Sequence, residues 1–144
     1  MFVTRRLVLS LVLLLNTVWC SESLAARCLY YGDVTLTGRL VQQTYPGPPD
    51  FESVTRGDQP LVIWVLQLDT GVCIVTSDAS HPNTYNEREI QLVLGTDQYA
   101  RGRSYAEYRH LLGKNIAVTG RLLPGGGKYE KPFVITSPAI KELF

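Results

Sequence analysis

Few residues in this chain could do catalytic chemistry, and their spacing argues against it. The two histidines are His81, in a polar run before Pro82, and His110, three residues after Glu107. A zinc site draws three or four ligands at short, regular spacings, and neither histidine has such company, so no metal site is expected. Ser80, His81 and Asp78 superficially offer a nucleophile, a base and an orienting carboxylate. A catalytic triad is assembled from separate elements, however, and adjacency in sequence does not supply one. No glycine-rich loop follows a strand and opens a helix, so no nucleotide cofactor is expected, and none of another kind is signalled. The chain reads as non-enzymatic, with a hydrolase using His81 or His110 as the competing reading.

The cysteines carry structural chemistry, once the start of the chain is understood. Arg5 and Arg6 precede an apolar run at residues 7–15, and small and polar residues follow up to Ala25. A membrane span needs about 20 apolar residues, so this shorter run reads as a secretory signal peptide, with Ser23 and Ala25 as the small residues before a cut after Ala25. An uncleaved anchor is the competing reading. Lipid attachment is disfavoured because Trp19 and Arg27, both large, precede Cys20 and Cys28. The mature chain, residues 26–144, is expected to be one domain, periplasmic or secreted, with no membrane span. It keeps Cys28 and Cys73, an even pair that reads as a disulfide in an oxidising compartment, against two unpaired buried thiols. Such a bond would contribute roughly 4 kcal/mol on the chain-entropy view.

Removing Arg5, Arg6 and Glu22 from the 14 basic and 13 acidic residues leaves no net charge. A neutral chain lacks the basic field that supplies most non-specific nucleic-acid affinity, so no nucleic-acid partner is expected.

The densest set of recognition-type side chains lies in residues 42–60, where Tyr45, Phe51, Glu52, Arg56 and Asp58 combine two aromatics with both charge signs. Four prolines and two glycines in this stretch oppose regular sheet or helix and give a long, stiffened loop with polyproline character. A stiff loop loses little entropy on binding, and aromatic platforms among polar groups suit a sugar, a peptide or a protein surface. The glycine-rich run at 124–131 adds Lys128 and Tyr129. The competing reading has the first loop packed across the barrel to bury Tyr45 and Phe51.

The elements that would position these groups announce themselves through a repeat. Thr-Gly-Arg-Leu occurs at 37–40 and again at 119–122, each time closing a stretch where apolar and polar residues alternate. Period-two alternation is the pattern of a half-buried strand, and a glycine within it marks a bend or the close approach of another backbone. Gly38 and Gly120 therefore read as fold residues, with Arg39 and Arg121 pointing outward. Between the repeats, residues 61–68 alternate Val62, Trp64, Leu66 and Leu68 with Ile63, Val65 and Gln67. Asp69-Thr70-Gly71 reads as a turn into a short run at 72–75. Ile90, Leu92 and Leu94 then alternate with Glu89, Gln91 and Val93. Whether the runs at 72–75 and 89–94 are one interrupted strand or two stays open. Ser104 and Glu107 fit a capping box before a two-turn helix that presents Tyr105, Tyr108, Leu111 and Leu112 and stops at Gly113. A last strand is expected at 133–136.

This order predicts an all-β chain with one short helix, a five- to six-stranded Greek-key barrel like the OB-fold. An open β-sandwich is the alternative. In an OB-like barrel the first and last inter-strand loops would flank an exposed face of Ile63, Val65 and Gln67.

Four stretches together, at residues 34–40, 45–53, 90–94 and 111–120, resemble an uncharacterised bacterial family of exported proteins, catalogued as domain of unknown function number 4431. The Tyr-Pro-Gly-Pro-Pro-Asp-Phe-Glu-Ser segment and the Leu-Leu-Gly-Lys-Asn start of the second repeated strand carry most of the likeness. It covers nearly the whole mature chain and implies a bacterial envelope protein whose two family cysteines correspond to Cys28 and Cys73. Residues 100–104 depart from the pattern as extra residues entering the helix. The family brings no activity, and no catalytic residue is carried over. The expected function is that of a non-catalytic binding module whose first and last loops contact a protein or an envelope glycan. An inhibitor or immunity-type protein acting on an exported hydrolase is the alternative.

Overall fold

The computed structural model describes residues 28–77, 80, 83–95, 105–126 and 131–144. Five strands account for most of them: β1 (Gly32–Pro46), β2 (Pro60–Ile74), β3 (Thr84–Val93), β4 (Asn115–Pro124) and β5 (Phe133–Glu142). They close in the order β1-β2-β3-β5-β4 and back to β1. Every neighbouring pair is antiparallel except β3 with β5, which meet in parallel at Gln91–Val134, Leu92–Ile135 and Val93–Thr136. This is the five-stranded Greek-key barrel of the OB type that the element order predicts. Residues 105–108 form one helical turn that runs into a 3-10 turn, Arg109–Leu111, ahead of β4. Ser104, the expected cap, lies outside the described residues.

Alternation does most of the folding work. Leu36 and Leu40 from β1, Trp64, Leu66 and Leu68 from β2, Ile90 and Leu92 from β3, and Ile116, Val118 and Leu122 from β4 point inward and form one buried cluster. Leu111 plugs it from the helical segment, with Tyr105, Tyr108 and Leu112 packed alongside. Their neighbours in sequence, Arg39, Gln67, Thr119 and Arg121, are exposed.

Both repeat glycines stand where another backbone comes too close for a side chain. A Cβ at Gly38 would land on the Gln67 carbonyl of β2. At Gly120 it would sit 2.6 Å from Ile135 Cγ2 and 3.0 Å from the Thr136 carbonyl oxygen of β5, beside the register shift between Thr119 and Arg121. The repeat thus marks two crowded crossings of one barrel.

Several sequence expectations are corrected. The loop expected at 42–60 is shorter, because β1 runs to Pro46 and β2 starts at Pro60. The two prolines face each other as the last rung of the ladder, where their missing N–H groups cost no interior hydrogen bond. Asp69-Thr70-Gly71 is not a turn but part of β2, at an irregularity where the register with β3 shifts between Gln67 and Val72. The run at 72–75 is therefore the far end of β2, and 89–94 belongs to a separate strand. The final strand continues past Thr136 through Ser137, at φ 46°, and Pro138 to Glu142.

Cys28 and Cys73 are joined in a disulfide. It sits beside a short parallel bridge in which the Leu29 N–H donates to the Cys73 carbonyl at 2.7 Å and the Val75 N–H to the Leu29 carbonyl at 2.9 Å. Among the described residues, no helix is long and apolar enough to cross a membrane. The apolar run at 7–15 and the cut after Ala25 lie outside them.

Candidate binding site

The first loop, now residues 47–59, is organised around Asp58, which is only 6 % exposed. Its Oδ1 accepts the Asp50 N–H at 3.0 Å, and its Oδ2 accepts those of Glu52 and Ser53, both at 2.7 Å. The Ser53 and Asp50 amides, ahead of the opposing effect of burial, hold the carboxyl below its ordinary pKa. The loop is pinned to its own base by Gly47 N–H to the Gln59 carbonyl at 2.7 Å, and Phe51 adopts a left-handed φ of 57°. Phe51 is half-buried. Glu52 and Arg56 form an exposed ion pair at 3.3 Å. Of the five loop residues singled out by type, Asp58 thus holds the loop's shape, and Glu52 and Arg56 answer each other.

Tyr45 belongs to a different assembly on the outer face of the barrel. Its hydroxyl donates to Gln43 Oε1 at 2.7 Å, and Gln43 Nε2 donates to Glu89 Oε1 at 2.9 Å. Gln67 Nε2 adds a bond to the same oxygen at 3.2 Å, and Lys131 Nζ binds Glu89 Oε2 at 2.6 Å. The ammonium also lies 5.7 Å from the centre of the Tyr45 ring, within cation–π range. Lys131 is tied down at its backbone too, its N–H donating to Gln91 Oε1 at 3.1 Å.

This network corrects the expected exposed face. Gln43 pairs with Ile63, and Glu89 with Gln67, so the Gln43–Glu89 bond runs diagonally over the intervening Val65. Ile63 and Val65 are accordingly buried although they point away from the core, and of the three only Gln67 is exposed. The Lys131 hydrogen bond, with those of Gln67 and Gln43, keeps the Glu89 carboxyl below its ordinary pKa against the effect of burial. Burial opposes the charge on Lys131, but Glu89 and Tyr45 outweigh it and raise the ammonium's pKa. Lys128 and Tyr129, the other two expected binding residues, lie outside the described residues.

The open part of this face lies at the other end of the network. A groove of about 620 Å³ is lined by Arg39, Gln67, Leu68, Asp69, Arg88 and Glu89. Arg39 Nε donates to the Gly113 carbonyl at 2.9 Å, and Arg88 Nη1 to the Asp69 carbonyl at 3.2 Å, beside the register shift of β2. Arg39 does point outward, as the alternation predicts, but neither it nor Arg88 is marked as a site residue by the sequence. The only available signal was the side-chain alternation of β1, which gives direction but not company. A second cleft of about 400 Å³ opens beside the helical segment between Gln42, Val62, Trp64, Tyr105 and Arg109. There Trp64 meets Tyr105 edge-on at 5.0 Å, and the Tyr105 hydroxyl donates to the Leu92 carbonyl at 3.1 Å.

Of the two histidines weighed for catalysis, His110 lies among the described residues. His110 Nδ1 lies 3.0 Å from the Glu107 carbonyl oxygen on an exposed turn. Asp78 and His81 lie outside the described residues. Among the described residues, no group of three or more histidine, cysteine or acidic side chains could hold a metal ion. Compared with known proteins, the chain matches no family model, no curated sequence and no solved structure.

Proposed function

We propose that this chain is an exported, non-catalytic binding module that engages a polar partner, a protein or an envelope glycan, through the outer face of β1, β2 and β3. The observation that carries this reading is the Arg39–Arg88 groove: a preformed concavity of mixed charge on sheet backbone, bordered by the Glu89–Lys131–Tyr45 network. Binding constellations are most accurate when they stand on rigid elements with their side chains held by neighbours. Every member of the network is held by at least one other. The export half of the reading rests on the apolar run at 7–15 and on the disulfide.

The test is residue-specific crosslinking in the native envelope. A photoreactive residue at position 67 should capture a partner, and one at position 56 on the first loop should not. Equal capture at both positions, or capture at 56 alone, would move the site to the loop. Capture at neither would remove the binding reading.

A further inference from the structure

We infer that the groove between Arg39 and Arg88 is an oxyanion site, shaped to receive a carboxylate or phosphate group of the ligand. The inference rests on the binding-module reading and names the chemistry of its ligand. Two guanidinium groups line the groove against two carboxylates, Asp69 and Glu89. Glu89 is already committed, since its two oxygens accept from Gln43, Gln67 and Lys131. Lys131, outside the lining, answers Glu89, and Glu87, also outside it, is turned onto the Arg88 and Glu89 amides. Within the groove the two guanidinium groups therefore face Asp69 as the one carboxylate not already engaged, a balance that favours a negative group. Salt screens such a field over about 10 Å, so only an anion that enters the groove benefits from it in full.

The donors are also held in place. An arginine carries five N–H donors in a rigid fork. Arg39 spends one on the Gly113 carbonyl and Arg88 one on the Asp69 carbonyl, which tethers each side chain at one point and leaves most of its donors for a ligand. A planar fork matches the paired oxygens of a carboxylate or phosphate, which a lysine's point charge does not. The Asp69 side chain on the same wall adds an opposite preference, for a hydroxyl or ammonium donor next to the oxyanion. A ligand presenting both, such as an acidic sugar or the end of a peptide, satisfies the whole lining.

Amide NMR titration of the disulfide-bonded protein separates these preferences, with glucuronate, inorganic phosphate and glucose as probes up to millimolar concentrations. Glucuronate or phosphate should shift the amides of Gln67, Leu68, Asp69, Arg88 and Glu89, and glucose should not. Response to glucuronate alone assigns a carboxylate ligand, and response to phosphate alone a phosphate ligand. Arg39→Ala should weaken the response by about tenfold or more, the size of a lost charge-assisted hydrogen bond, and Arg39→Lys by less. Arg88→Ala, whose spectrum independently reports folding, should act in the same direction. A glucose response equal to that of glucuronate overturns the oxyanion site while leaving a binding groove in place. Silence to both anions, or an anion response undiminished in both arginine variants, overturns it outright.

Discussion

The first loop and the groove hold the same kinds of side chain and use them in opposite ways. In the loop, charge is turned inward: Asp58 accepts three backbone amides, and Glu52 answers Arg56 four residues on. In the groove, Arg39 and Arg88 each hold one backbone carbonyl and keep the rest of their donors. The loop is therefore a clasp on its own backbone, while the groove keeps the bonding capacity that the proposed binding role requires, although by residue type alone the loop is the richer of the two. A polar residue matters for recognition by what remains of its bonding capacity after the fold has drawn on it.

The largest effect should come from the scaffold that both regions share. Gly120→Val forces a branched side chain against Ile135 and the β5 backbone, and should cost roughly 3 kcal/mol, read as a sharp fall in Tm. Next, Asp58→Ala should strip the Asp50, Glu52 and Ser53 amides of hydrogen-exchange protection while leaving the anion response of the groove intact. A groove that changes with the loop would erase the contrast. Asp58 also gives the loop a pH signature. Its carboxyl is lowered below the ordinary 3.8, so the stability it contributes is fully present above that pH and is lost as pH falls through the folded value. Asp58→Asn should flatten that part of the acid-unfolding curve, and an unchanged curve would mean that the clasp bears no load.

Glu89→Gln keeps the shape of the network but cancels its charge, and should cost about 1–2 kcal/mol in denaturant unfolding. Its pH dependence has two sides. The lowered carboxyl gives stability that is lost as pH falls below the ordinary 4.5, and the raised Lys131 ammonium gives stability that is lost as pH rises past the ordinary 10.5. Both limbs should flatten together in the variant. The smallest effect belongs to Arg56→Ala, whose exposed pair should be worth less than about 0.5 kcal/mol. A larger loss would show that the loop's surface charges do more than answer each other.

The barrel was legible in sequence because its rule is local. Period-two alternation located β1, β4, most of β2 and the second half of β3, and Gly38 and Gly120 signalled a bend or close backbone approach before any partner was known. Boundaries were less legible. Asp69-Thr70-Gly71 has turn composition, and only the β3 partner shows that β2 passes through it with a shift of register. Pro46 and Pro60 looked like loop residues until they proved to be opposite one another. The site was least legible, because it depends on distant pairings. Val65 is buried on a strand flanked by β1 and β3, beneath a diagonal joined by Gln43 and Glu89, residues 46 positions apart, and no short window of sequence around it contains either.

The disulfide has one more consequence. Cys28 and Cys73 lie on either side of the first loop, so β1, the loop and nearly all of β2 form a covalent ring. A protease that cuts the exposed backbone near Arg56 would open the ring without releasing either half. The nicked protein should migrate as one species on a non-reducing gel and fall into two fragments only when thiol is added. A protease could thus clip this exposed loop and still leave the chain in one piece, with its groove walls attached.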